Sequence, residues 1–320
     1  MQDQIKIVVV AMYQPGGGRP GELSKFREGL GLRPWKKAGL PEGVLWRNRE
    51  GVAAMVAGVG PVNTAVNLMT LGLHAGVDWR KTWWLVCGIA GGNPQICPLG
   101  GVAVADWVVD GDLAYDLHTE DHPPQWSTGL LPLGATKPYG RVAPGLFSEP
   151  AQVFHLDKKL AGWAARRAQK TILHDSRELA QARKIYAAFA AGARPPAVLR
   201  GDVLSAARFW HGARHHRWAE RWVKYWTKNR GRFAAATMED SGTLGALRRL
   251  HELNLADWRR VLLLRSISNY TLPPPGRPAH RHLVEGPEPG LNFPSLEAAL
   301  ENVWRVGRDV VAALLQKPPR

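Results

Sequence analysis

The sequence predicts an α/β protein of three layers, α/β/α, around a central mixed sheet. Two observations carry this. Short runs rich in Val, Ile, Leu and Ala recur from one end of the chain to the other, with the length and character of strands buried on both faces. Between them lie stretches with apolar residues at helical spacing, so strands and helices alternate, as when helices cover both faces of one sheet. An apolar share of 45% supplies the core that such layers need.

The elements follow in order. Ile5 to Met12 is an almost unbroken β-branched run, the first buried strand. The Gly/Pro-rich stretch Gln14 to Gly21 is a loop, and a short amphipathic helix begins at Leu23. Val44 to Asn48 and Val52 to Val56 form a hairpin around Arg49, Glu50 and Gly51. Gly58 to Asn63 is a glycine turn that opens a helix from Thr64 to Leu73. Trp83 to Val86 is a second buried strand, ending in the glycine-rich run Gly88 to Gly92, and Val102 to Val109 is another. Ser148 to Tyr186 is rich in Ala, Arg and Lys and reads as helical. Val198 to Leu204 and Phe233 to Thr237 are strands, and a helix runs from Glu239 through Leu253. Val261 to Ser266 is a buried strand ending in Ser268, Asn269 and Tyr270. Pro273 to Gly276 starts an irregular segment, and Leu296 to Leu315 is a long amphipathic helix. No linker separates a second unit, so one domain over residues 1–320 is expected, with a helical insertion around 148–196.

The formal net charge of +15 raises nucleic acid or an anionic membrane as a partner. Yet the basic residues occur as scattered doublets, such as Lys36 and Lys37, Arg166 and Arg167, and Arg248 and Arg249. The densest run, Arg208 to Arg232, interleaves them with Trp210, Trp218, Trp222, Tyr225 and Trp226. Such a mixture suits base stacking. Its spacing suits an amphipathic helix with its Trp side on the core better, so no nucleic acid is expected as a partner. Cys87 and Cys97 lack neighbouring ligand residues and read as buried free thiols. No window approaches the roughly 18 to 20 apolar residues that cross a bilayer, so a soluble chain without a membrane span is expected. The first residues lead directly into a strand, with no signal peptide in view. The compartment stays open: cytoplasmic or, for a chain trimmed of a leader, periplasmic.

In sheets of this kind ligands bind beyond the carboxyl ends of the strands, so the polar strand ends are the candidate site. Gly58, Gly60 and Asn63 stand at a strand-to-helix junction, where bare amides and the helix dipole suit an anion or a ribose oxygen. A tight turn explains the same glycines equally well. Gly91 and Gly92 would let backbone approach a planar ligand. Met238 and Glu239 precede a helix in which Asp240 or Ser241 reads as the cap. Glu239 is better placed to face a pocket, and a carboxylate accepts from both hydroxyls of a sugar diol. Asn269 carries a side-chain amide, whose N–H groups suit the N7/O6 edge of a 6-oxopurine.

Gly88-Ile-Ala-Gly91-Gly92, Met238-Glu239 and Arg265-Ser-Ile-Ser-Asn269, in that order, resemble the nucleoside phosphorylase and nucleosidase superfamily. More closely, Ala105-Asp-Trp-Val-Val-Asp-Gly-Asp112, Phe209-Trp-His-Gly212, Glu239-Asp-Ser-Gly-Thr243 and Ser268-Asn-Tyr-Thr-Leu-Pro-Pro-Pro-Gly276 resemble the purine nucleoside permease family. The likeness runs from about Ile5 to Leu315. It implies a nucleoside phosphorylase-like fold that binds a purine nucleoside and cleaves its N-glycosidic bond, as a nucleosidase or a phosphorylase. By that resemblance Glu239 holds the ribose hydroxyls, Met238 lines the sugar, and Phe209 and Trp210 stack on the base, with His211 beside them. Asn269 stands where related enzymes carry an acid for the departing base, which favours 6-oxopurines.

The sequence departs from the family at two points. Many relatives carry an acid where Ala207 stands, and the 58–63 loop lacks the Arg with which phosphorylases hold phosphate. Arg19 in the first loop supplies a positive charge, and Glu22 is the nearest carboxylate able to activate water. No cofactor is expected, with phosphate left open as co-substrate, and a homo-oligomer is compatible with the resemblance. The alternative is a non-catalytic nucleoside-binding protein assisting uptake, since a chain with no membrane span cannot itself form a transport path.

Other clusters point elsewhere less well. Asp110, Asp112, Asp116, His118, Glu120, Asp121 and His122 read as an exposed acidic rim and not as a metal site, for want of a ligand pattern. His211, His215 and His216 lack the Glu of a zinc-protease helix. Ser205, Ser241 and Ser268 sit in no GxSxG elbow.

Overall fold

The computed structural model describes residues 4–36, 40, 43–73, 77–142, 152–285 and 295–319. Lys37, residues 148–151 at the start of the expected insertion, and 286–294 of the irregular segment lie outside the described residues.

The first third runs β1 (Ile7–Ala11), α1 (Ser24–Gly29), β2 (Arg33–Pro34), β3 (Leu45–Arg47), β4 (Val52–Val56), α2 (Pro61–Gly72) and β5 (Trp83–Gly92). The middle adds β6 (Val102–Val104), β7 (Trp107–Asp110), β8 (Ala114–Asp116), β9 (Leu130–Pro132), β10 (Val153–His155), α3 (Lys158–Ala168) and α4 (Arg177–Ile185). The last part holds β11 (Val198–Arg200), β12 (Asp202–Ser205), α5 (Ala213–Trp226), β13 (Phe233–Thr237), α6 (Asp240–Glu252), β14 (Val261–Tyr270), α7 (Ala279–Val284) and α8 (Leu296–Gln316).

Among the described residues twelve strands join in one sheet, and β8 and β9 make a separate antiparallel pair. The sheet is mixed. At its centre β1 lies parallel to both β4 and β5, and β5 is also parallel to β14. β13 meets the far end of β5 antiparallel, and β12 runs parallel to β13 and β7.

The alternation of β1 sorts the layers. Val8, Val10 and Met12 join one core with Leu68 and Leu71 of α2 and Leu244, Leu247 and Leu250 of α6. Ile7, Val9 and Ala11 join the other with Phe26 of α1, Leu160 and Ala164 of α3, and Val303, Val306 and Val310 of α8. Since side chains on a strand alternate between faces, these are the two sides of the sheet, each covered by helices. α5 closes a third cluster, packing Trp218 and Trp222 against Val109, Leu204 and Phe233. It exposes Arg214, Arg217, Arg221 and Lys224 and buries Trp218, Trp222 and Val223, so the Arg/Trp run is an amphipathic helix.

Several boundaries differ from the sequence reading. Val102 to Val109 is two strands, because the chain turns at Ala105 and Asp106. There the backbone N–H groups of Asp106 and Trp107 donate to the Asp202 carboxylate, at 3.2 and 2.9 Å. Val198 to Leu204 likewise divides at Gly201, into β11 on β6 and β12 on β7. Within Ser148 to Tyr186 the segment Val153–His155 is a strand on β7, so the stretch is not wholly helical. Finally, β5 and β14 run on through Gly92 and Tyr270, well past the ends read at Val86 and Ser266.

Candidate functional site

The ends of β1 and β13 meet the middle of β5 and β14 in a cluster of buried charge. Glu22, just before α1, turns its carboxylate back onto the end of β1. Its Oε2 accepts from the N–H groups of Met12 and Tyr13 at 2.8 and 2.9 Å, and its Oε1 from Ile89 of β5 at 2.6 Å. Arg265 of β14 places Nη1 3.9 Å from that Oε1 and donates to the Ile89 carbonyl at 3.3 Å. On its other side Arg265 makes a two-point pair with Asp240, Nε to Oδ2 at 3.1 Å and Nη2 to Oδ1. Both partners are fully buried, and Thr237 also donates to Asp240, at 3.0 Å. A buried charge pair needs this degree of saturation to offset its desolvation.

Glu239 completes the cluster. It is the N-cap of α6, 8% exposed, and its Oε2 accepts from the N–H of Met238 at 3.1 Å. Burial raises its pKa to about 7; Glu22 and Asp240 push the same way, and Arg265 opposes them. Burial also works against the charge on Arg265, but its acidic neighbours outweigh it and lift the pKa above the ordinary arginine value. Three carboxylates thus surround one guanidinium.

Asn269 lies opposite Gly91, just beyond a shift in register between Ile267 and Asn269. The extra residue there re-aims the side chains that follow, as bulges beside functional sites commonly do. Asn269 is 6% exposed, and its Oδ1 accepts from Ser268 Oγ at 3.0 Å. A Cβ on Gly91 would stand 3.5 Å from Asn269 Nδ2, so the glycine leaves bare backbone on that flank. At Gly88 a Cβ would come within 2.2 Å of Glu22 Oε1 and 2.5 Å of Arg265 Nη1. That glycine is required by the carboxylate cluster.

The 58–63 loop adjoins Glu239. Gly58 and Gly60 have φ of 95° and 87°, values that glycine alone adopts easily. Asn63 spends its amide on the Val59 carbonyl at 2.7 Å, and Thr64 donates to the Glu239 carbonyl at 3.3 Å. Arg19 stands exposed on the 14–21 loop. Met238 is half-buried next to Glu239, and Gly92 lies beyond Gly91 at the end of β5.

Of the aromatic segment, Phe209 is 45% exposed, whereas Trp210 is buried against Trp218 and Phe233. His211 pairs with His282 at 3.0 Å. Ala207, where an acid would be usual, donates its N–H to Asp112, and Arg208 pairs with Asp112 and Asp116 at 3.5 and 3.4 Å. The acidic rim therefore brings a carboxylate to position 207 from another loop. Sequence reasoning missed Asp240 and Arg265 as site residues. The signal was present: one arginine directly after the apolar run Val261 to Leu264 of a buried strand, which burial obliges to find a carboxylate.

The molecule has the fold of the purine nucleosidases. It is similar to 5′-methylthioadenosine/S-adenosylhomocysteine nucleosidase from Helicobacter pylori, at 16% identity and a TM-score of 0.56 over 97% of this chain and 99% of that one. It is also similar to futalosine hydrolase of the same organism, at 16% identity and a TM-score of 0.55 over 96% and 97%. Within that fold, the family model of purine nucleoside permease (NUP) matches residues 4–318, and the chain belongs to this family. The purine nucleoside permease of Candida albicans is 29% identical over 83% of this chain and 64% of its own length. A probable purine nucleoside permease of Schizosaccharomyces pombe is 28% identical over 69% and 65%. The chain thus spans a little under two thirds of these curated relatives. No described helix is long and apolar enough to cross a membrane.

Proposed function

We propose that this protein binds a purine nucleoside at the junction of β1, β5, β13 and β14 and cleaves its N-glycosidic bond. The observation that carries the reading is the buried cluster of Glu22, Glu239 and Asp240 around Arg265, with Asn269 on the same strand as the arginine. Glu239 accepts hydrogen bonds from the ribose hydroxyls. The negative field of the cluster stabilises positive charge as it grows at C1′. As the C1′–N bond breaks, its electron pair stays with the purine, and the Asn269 amide donates to that base. A 6-oxopurine is favoured, because the Asn269 amide N–H groups can donate to its N7/O6 edge, where both atoms accept.

The nucleophile in this reading is water. Three carboxylates against one guanidinium repel a phosphate dianion and leave a neutral nucleophile unopposed. Glu22 is the group proposed to take its proton. Phosphate remains a co-substrate to test, with Arg19 and the amides of Gly58 and Gly60 as its nearest candidate holders. Homo-oligomerisation belongs to the same proposal and is checked by light scattering.

One observation favours a second reading. An amide at 269 cannot transfer a proton to the leaving base as an acid would. A protein that captures nucleosides for a separate membrane carrier needs the pocket but not the turnover. The deciding experiment incubates the protein with inosine, guanosine and adenosine, with and without phosphate, and separates the products by chromatography. Free base and ribose without phosphate support the proposal. Ribose 1-phosphate, formed only with phosphate, replaces water by phosphate. Measurable binding without any free base overturns the enzyme in favour of the capture protein.

A further inference from the structure

His211 adjoins the exposed aromatic Phe209, yet its ring is already engaged. Its Nε2 lies 3.0 Å from Nδ1 of His282, and the two rings stack with centroids 4.9 Å apart. Its other polar contact is the backbone of Tyr270. His282 Nε2 in turn lies 3.1 Å from the hydroxyl of Tyr186. A neutral imidazole has one donor and one acceptor, and a phenol donates through its hydroxyl. One orientation therefore satisfies the whole chain. Tyr186 O–H donates to His282, His282 Nδ1–H donates to His211, and His211 Nδ1–H faces the Tyr270 carbonyl. That orientation requires neutral rings. Burial lowers the pKa of both, that of His211 to about 4, with His282 adding to the effect on His211 and Arg277 to that on His282.

The chain closes on itself. The Tyr186 ring packs edge-on against the Tyr270 ring, with centroids 4.7 Å apart at 67°. Tyr270 directly follows Asn269, and neighbouring residues on a strand face opposite ways. The enclosed tyrosine is thus back to back with the amide proposed to meet the base. The next residue is held as firmly. Gly212 N–H donates to the Thr271 carbonyl at 2.9 Å, Thr271 N–H to the Gly92 carbonyl at 3.0 Å, and His216 Nδ1 lies 2.8 Å from Thr271 Oγ1.

We infer that His211, His282 and Tyr186 are positioning residues that fix the end of β14 beyond its bulge, and through it the amide of Asn269. The inference rests on the nucleoside-cleavage reading and changes one part of it: His211 acts behind the site instead of touching the ligand. A positioning role has its own kinetic signature. A misplaced amide weakens the transition state more than the bound nucleoside, so kcat falls while KM changes little.

The test is a double-mutant cycle on inosine cleavage by the full chain, using His282→Ala, Asn269→Ala and the two combined. Tyr186→Phe, which removes one hydroxyl, takes the place of His282→Ala if thermal melting shows that variant unfolded. His211→Asn keeps a donor close to the Nδ1 position. His282→Ala is expected to lower kcat by roughly tenfold to a hundredfold with KM within about threefold. In the Asn269→Ala background it has no further effect, and His211→Asn retains most of the rate. Full additivity of the two substitutions, or an equal loss in His211→Asn and His211→Ala, overturns the inference while leaving the cleavage reading intact. If Asn269→Ala alone changes neither kcat nor KM, the leaving-group reading falls instead, and this inference with it. If the wild type turns over nothing, the cleavage reading falls, and this inference with it.

Discussion

Glu239 ties activity and stability to pH with opposite signs. In the proposed role its carboxyl must ionise to accept two ribose hydroxyls, and burial has moved that ionisation up to about 7. We therefore expect kcat/KM for inosine to climb between pH 5 and 8 with a midpoint about 7, and the climb to vanish in Glu239→Gln. Stability runs the other way. The folded carboxyl holds its proton more tightly than the unfolded one, so its contribution is complete below about 4.5 and is lost as pH rises through about 7. Chemical unfolding at pH 8 should find Glu239→Gln at least as stable as the wild type. Its transition-state binding should be weaker by about 2 to 5 kcal/mol, the range for truncating a charged partner. Asp240 bears on stability through its ion pair with Arg265. Asp240→Ala strands a fully buried guanidinium and should cost about 3 to 5 kcal/mol in denaturant unfolding. Glu239 stood out in the sequence as a carboxylate at a strand end able to accept from a sugar diol, and the structure buries it beside Arg265. Asp240 did not stand out, because an acid at the start of a helix already has a sufficient local explanation as a cap.

At the scale of elements, most strands and helices were legible from apolar period and glycine punctuation. The errors share one cause. Gly88, Gly91 and Gly92 read as the end of β5, yet they lie within it, and two of them answer to neighbours distant in sequence. A Cβ on Gly92 would stand 2.5 Å from Ile267 Cγ2, just as one on Gly88 would strike Glu22 and Arg265. Close tertiary approach and a turn leave the same letter in the sequence. The break between β6 and β7 was equally hidden, since the carboxylate that draws the chain aside comes from Asp202. Gly242 shows how tightly helices set the site. Its Cβ would sit 2.0 Å from the Pro61 carbonyl, where the first turn of α6 meets that of α2. Gly242→Ala must separate the two helix starts that flank Glu239, and a loss of about 1 to 3 kcal/mol is expected, read as a lowered Tm. Inosine affinity should fall in the same variant even at temperatures where it remains folded.

For the whole molecule, the net charge of +15 is the feature that sequence advertises most and the site uses least. Many basic side chains are tied to local acids, as Arg80 is to Asp78, Arg183 to Asp175 and Arg259 to Asp257. A neutral nucleoside releases no counterions when it binds. Its affinity should stay flat from 50 to 500 mM salt, while any affinity for random duplex DNA should fall steeply over that range. A strong salt dependence of inosine binding, followed by titration calorimetry, would contradict a pocket closed by buried hydrogen bonds.

The position of Arg265 also sets a clock. Glu22 leaves the ribosome early, and Asp240 much later, but neither carboxylate has its guanidinium until β14 is made. At roughly 5 to 20 residues per second, about 12 to 50 s separate Glu22 from Arg265. During that interval the nascent chain holds β1, β4 and β5, which pair without β14, with a carboxylate that has backbone donors but no cation. Ten buried residues of β14 then arrive together with the guanidinium. The charge cluster is therefore among the last parts to assemble, and a chain released early carries the outline of the sheet without it.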